Sequence, residues 1–142
     1  MKREISKKNR RIVVIINYLS IFFILVFFYA GINIGWNVLI IAGEIIVIIT
    51  AVMSFIYLHI RTHLWKLVHT SIEELDERQI QVRYESLRYS YSIFSIISLL
   101  VIFYHSLTIR GDVSFGMLIL SSLIYLAHTL PSSIIAWTEK KI

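Results

Sequence analysis

The chain has 142 residues, 57% of them apolar and 16% charged, with a net charge of +5 and no cysteine. A soluble domain carries about 25% charged residues, so this deficit argues against an ordinary water-solvated globule and points to lipid as part of the solvent. The absence of cysteine removes disulfides, thiolate metal sites, cysteine nucleophiles and palmitoylation. Isoleucine is the commonest residue and alanine is scarce, a bias that fits an AT-rich bacterial genome.

Residues 1–11 form a basic tail. Lys2, Arg3, Lys7, Lys8, Arg10 and Arg11 stand there against Glu4, which accounts for the whole net charge. Such a cluster beside an apolar run suits anionic lipid headgroups, at roughly 1 kcal/mol per basic residue near the surface. The tail is short and has no interleaved aromatics, so nucleic acid is not expected as a partner. The apolar stretch after Arg11 is too long for a signal-peptide core and no A-x-A site follows it. It is expected to be an uncleaved first span.

No charge occurs from Ile12 to Gly43. A span needs about 20 apolar residues, so this block is too long for one helix and too short for two. The predicted break is Gly31-Ile32-Asn33-Ile34-Gly35, followed by Trp36 at an interface. The first transmembrane helix is therefore expected over 12–30 and the second over 36–60, with Glu44 inside it. Residues 61–88 are a polar linker, and residues 89–109 a third apolar span. Arg110-Gly111-Asp112 reads as a tight turn, 113–137 as a fourth span and 138–142 as a second short tail. Backbone groups in lipid must satisfy one another, which makes these runs helices. The alternating polarity of a membrane barrel is absent. The expected fold class is an all-α membrane protein of one membrane domain, with four transmembrane helices arranged as two hairpins.

Orientation follows from the basic residues. The first tail holds six, the linker five and the last tail two, against Arg110 alone in the intervening loops. Both tails and the linker are thus expected in the cytoplasm, and the chain in the cell membrane as a multi-pass protein.

The linker carries Ser71 with Glu74 three residues on, which matches a capping box. Glu73, Glu74, Asp76 and Glu77 would lie in the first turns of a helix, where they favour its dipole. Ile80, Tyr84, Leu87 and Tyr91 recur at helical spacing. One long helix is predicted from Ser71, continuous with the third span. A faint likeness between residues 20–29 and 95–104 leaves two readings open, a parallel internal repeat or coincidence in an Ile-rich chain.

Glu44 lies about 12 Å beyond Trp36 along its helix. A carboxylate inside a span is a functional-site candidate by default, and the competing reading is a neutral acid hydrogen-bonded to a neighbouring helix. His105 and His128 are the other intramembrane ionisable candidates. Their depths differ by more than about 10 Å, which argues against a shared haem or metal, and each reads more simply as packing. His59 and His63 stand i, i+4, a spacing that can bind metal, but they lack a third ligand and fall at the membrane surface. Ser92, Ser95 and Ser98 suit close helix packing. Gly31-x-x-x-Gly35 falls at the expected turn. No nucleophile elbow, phosphate loop, kinase or zinc-protease motif occurs, so no enzyme, cofactor or metal is expected.

Asp76-Glu77-Arg78-Gln79, followed by Ile80, Arg83 and then an apolar span, resembles the "DER" signature of small bacterial and archaeal membrane proteins of the DUF2178 type. The resemblance covers residues 76–109. It implies a multi-span membrane fold in which the tripeptide begins a helix leading into a span, and it implies no activity. The leading functional expectation is a non-enzymatic accessory or regulatory membrane protein, with Asp76, Glu77, Arg78 and Arg83 touching a protein partner and the bundle forming a homo-oligomer or joining a larger complex. The alternative is a small proton- or cation-coupled transporter that uses Glu44.

Overall fold

A computed structural model describes residues 6–108 and 113–139. In chain order these form α1 (Lys7–Ile34), α2 (Val38–Phe55) prolonged by a π-helical turn (Ile56–Ile60), the short α3 (Leu64–His69), a 3-10 turn (Ile72–Glu74), α4 (Glu77–Thr108) and α5 (Val113–Thr138). No strand occurs among the described residues. Among the described residues four helices are long and apolar enough to cross a membrane: α1, α2 with its π turn, α4 and α5. The chain divides into two compact units, one of residues 1–64 with 136–142 and the other of residues 65–135.

In the first unit α1 begins earlier and ends later than the sequence pattern suggests. Ser6 caps it by accepting from the Asn9 N–H at 3.3 Å, so the basic residues from Lys7 onward are helical turns rather than a loose tail. The expected break at Gly31 is not a break. Asn33 stays helical and donates its side-chain amide to the Tyr29 carbonyl at 2.8 Å. The helix stops at Gly35, whose φ of 96° is costly for any residue with a Cβ, and its N–H closes on the Gly31 carbonyl at 3.1 Å. Gly31 serves space instead of turning. The Trp36 indole folds back onto it, so that a Cβ there would sit 2.7 Å from the ring, and the ring also meets Phe28 edge-on. Asn37 then caps α2 by accepting from the Ile40 N–H at 3.0 Å. The reason is energetic. Glycine inside a helix costs about 1 kcal/mol, less than leaving backbone groups unpaired in an apolar solvent.

The α1–α2 hairpin turns its small and polar residues inward. Val14, Asn17, Ser20 and Gly31 are buried on α1, and Ala51 and Ser54 on α2. Large side chains such as Phe22, Ile46 and Met53 face outward. This inversion of the soluble pattern suits helices solvated by lipid, where close approach and hydrogen bonds hold the helices together. Near the hairpin's far end the Phe27 ring covers Gly43, leaving no room for a Cβ.

In the second unit the predicted start of the linker helix moves. Ser71 precedes only the 3-10 turn and makes no side-chain cap, and that turn ends at Leu75 in extended backbone. The start of α4 is one turn later. Asp76 Oδ1 accepts from the Gln79 N–H at 2.7 Å and Gln79 Oε1 accepts from the Asp76 N–H at 3.1 Å. Both Ser71-x-x-Glu74 and Asp76-x-x-Gln79 match the capping-box spacing, and the carboxylate is the stronger acceptor. The short α3, which the sequence pattern did not predict, follows His63, whose backbone is left-handed with φ 60°. From Glu77, α4 runs 32 residues without a break. It buries Ser86 and Ser90 and exposes Tyr84, Leu87 and Tyr91. Ser92 lies exposed, whereas Ser95 and Ser98 are half-buried with the Ser98 Oγ buried, and Ser86 and Ser90 are the buried serines earlier in the helix. The Arg110-Gly111-Asp112 turn lies outside the described residues.

Candidate functional site

The residues singled out by the sequence fall into separate places. The acidic-basic tetrapeptide lies at the start of α4, where Asp76, Glu77, Arg78 and Gln79 are all exposed. Two of them are committed to the helix end through the reciprocal cap. Arg83 lies one turn on, and its Nη1 donates to the Thr70 carbonyl at 2.5 Å, tying the end of α3 to α4. Of the four proposed contact residues, Glu77 and Arg78 therefore present their side chains outward, while Asp76 and Arg83 also hold the local fold.

Glu44 lies on α2 beside the Gly43–Phe27 contact. One of its carboxyl oxygens, Oε2, is buried and makes no hydrogen bond. This is the polar atom one would expect to find at a site of ion or proton traffic, and equally at a helix junction completed by another group. Lower in the same hairpin Asn17 is fully buried. Its Nδ2 donates to Ser54 Oγ at 2.9 Å and to the Ala51 carbonyl at 3.3 Å, and Ser54 Oγ in turn donates to Ala51 O at 2.9 Å. The sequence reading missed Asn17, although an asparagine within a charge-free apolar run is a legible signal for an interhelical hydrogen bond.

His59 and His63 do not share a face. His59 is fully buried on the π turn with its ring 4.8 Å from that of Phe55, whereas His63 is exposed beyond the turn. A π turn shifts the side-chain register, so i, i+4 spacing no longer aligns the two rings. The His59 side chain thus packs inside the first unit, and the i, i+4 pairing with His63 is not formed. His128 lies 6.5 Å from the Trp65 ring, which also stacks on His69 at 4.2 Å. The His69 Nδ1 lies 2.8 Å from the Trp65 carbonyl. The side chain of His105 lies outside the described residues. Among the described residues no group of three or more His, Asp or Glu is arranged to hold a metal ion.

The basic residues of α1 meet the end of α5, within the first unit. Lys7 Nζ donates to the Thr138 carbonyl at 2.5 Å, Arg11 Nε to Trp137 O at 3.1 Å, Arg10 Nε to Ala136 O at 3.4 Å, and Arg10 Nη2 to Glu139 O at 2.6 Å. Arg10 is only 4% exposed. The Arg11 guanidinium also lies 4.9 Å above the Trp137 ring.

No protein-family model matches the chain. No curated protein and no solved structure matches it either.

Proposed function

We propose that the chain is a non-enzymatic accessory or regulatory protein of a bacterial inner membrane that contacts a protein partner through the first turns of α4. The observation that carries this reading is the continuity of α4 from the exposed Glu77 into its apolar run. A rigid helix links a charged outer face to a span, so force or register set by a partner at Glu77, Arg78 and Tyr84 is passed along the same rod. The basic-residue asymmetry supports a cytoplasmic location for this face. The DUF2178-type resemblance at Asp76-Glu77-Arg78 supports the same architecture. The test is Ile80→Pro, which removes a backbone donor and costs about 3 kcal/mol or more locally. Insertion survives and recovery of the partner in a pull-down from membranes is lost. Unchanged recovery rejects the reading.

A second reading rests on the unpartnered Oε2 of Glu44: a small proton- or cation-coupled transporter. Glu44→Gln keeps shape and hydrogen bonding but cannot ionise. Under this reading pH-dependent transport is abolished while thermal stability is retained. Full activity of the Gln variant across the pH range eliminates it.

A further inference from the structure

The contact between the start of α1 and the end of α5 has a chemistry of its own. An α-helix leaves its last four carbonyls without intrahelical partners, and these carry the negative end of its dipole. The end of α5 has no glycine or asparagine to close it by a left-handed turn, since Thr138 is followed by Glu139. Its carbonyls at Ala136, Trp137 and Thr138, and the next at Glu139, each receive a cationic donor instead. The donors stand at i, i+3 and i+4 on α1, which places Lys7, Arg10 and Arg11 on one face. Lys8, off that face, is exposed. Arg10 is the centre of the arrangement. Its guanidinium spans two carbonyls three residues apart, in a site where it is almost wholly removed from solvent.

We propose that Lys7, Arg10 and Arg11 form a latch that closes the start of α1 onto the end of α5, with the Arg10 fork as its bolt. The basic residues then do more than set orientation by charge or rest on lipid headgroups. They complete α5, and they complete it only when both helix ends have arrived at the same face of the membrane. The latch is independent of the partner reading of α4. Its specific demand is geometric: a lysine at position 10 keeps the charge but has no planar fork to bridge two carbonyls.

The experiment is hydrogen exchange on the full chain in phosphatidylcholine vesicles, with and without phosphatidylglycerol, paired with labelling that reports orientation. In Arg10→Lys, exchange at residues 132–138 and at 9–13 rises together by about three- to tenfold, the range of a lost charged cap. Orientation is unchanged, and exchange at 77–88 is unmoved. The effect is equal in both lipid mixtures. Arg11→Gln and Lys8→Gln each remove one positive charge from the half-buried or exposed helix surface and leave folding intact. Arg11→Gln loosens the same two segments, and Lys8→Gln does not. Wild-type exchange in Arg10→Lys, or equal effects of Arg11→Gln and Lys8→Gln, overturns the latch in favour of simple charge counting. An effect seen only with phosphatidylglycerol overturns it in favour of a headgroup anchor.

Discussion

Asp76→Ala separates helix capping from partner recognition at the acidic-basic tetrapeptide. The substitution removes the Oδ1 that accepts from the Gln79 N–H at 2.7 Å and leaves the weaker reverse bond, Asp76 N–H to Gln79 Oε1 at 3.1 Å, in place. Loss of such an N-cap costs about 0.5–2 kcal/mol. The damage is local. The stretch from Glu77 to Arg88 is about 18 Å of helix, and by itself it is near the length at which helices are marginal in water. Here it is nucleated from the apolar continuation of α4, so only the first turn frays. Amide exchange at Gln79 and Ile80 is expected to rise about 2–30-fold for a loss of about 0.5–2 kcal/mol, fading by Arg83, whose side chain holds the Thr70 carbonyl. Asp76→Asn keeps an acceptor in the same place and leaves exchange nearly unchanged. If a partner reads the carboxylate, Asn loses the partner while keeping the helix; if the tetrapeptide only caps, Asn is silent in both measurements. Exchange at Gln79 that does not move in Asp76→Ala refutes the capping assignment.

The Asn17–Ser54 bond is expected to show a coupling of about 0.6–1.7 kcal/mol in a double-mutant cycle with Ala at both sites, read by reversible unfolding in mixed micelles, as for other interhelical hydrogen bonds in membranes. Additive single effects contradict the 2.9 Å geometry. Gly31→Leu must displace the Trp36 indole, because even a Cβ lies 2.7 Å from it. A shift in Trp36 fluorescence, isolated by Trp65→Phe and Trp137→Phe, is the expected result, and an unaltered spectrum counts against the contact.

The class of fold was legible because lipid leaves the backbone few choices. Long charge-free runs spanning an apolar solvent must close their hydrogen bonds within themselves, so the number and rough placement of the apolar helices follow from where charges are absent. Their ends did not follow from the same rule. Gly31 carries a turn signal, but the residue that decides its role, Trp36, acts by folding its ring back across the helix. Ser71 and Asp76 both head a capping-box spacing, and backbone conformation at Leu75 selects the second. His59 and His63 share a spacing that a π turn takes apart. The pairing of Lys7, Arg10 and Arg11 with residues 136–139 could not be read from the chain at all. Local pattern carries periodicity and charge, whereas contacts across more than a hundred residues depend on which helix ends arrive side by side, and only the tertiary structure supplies that.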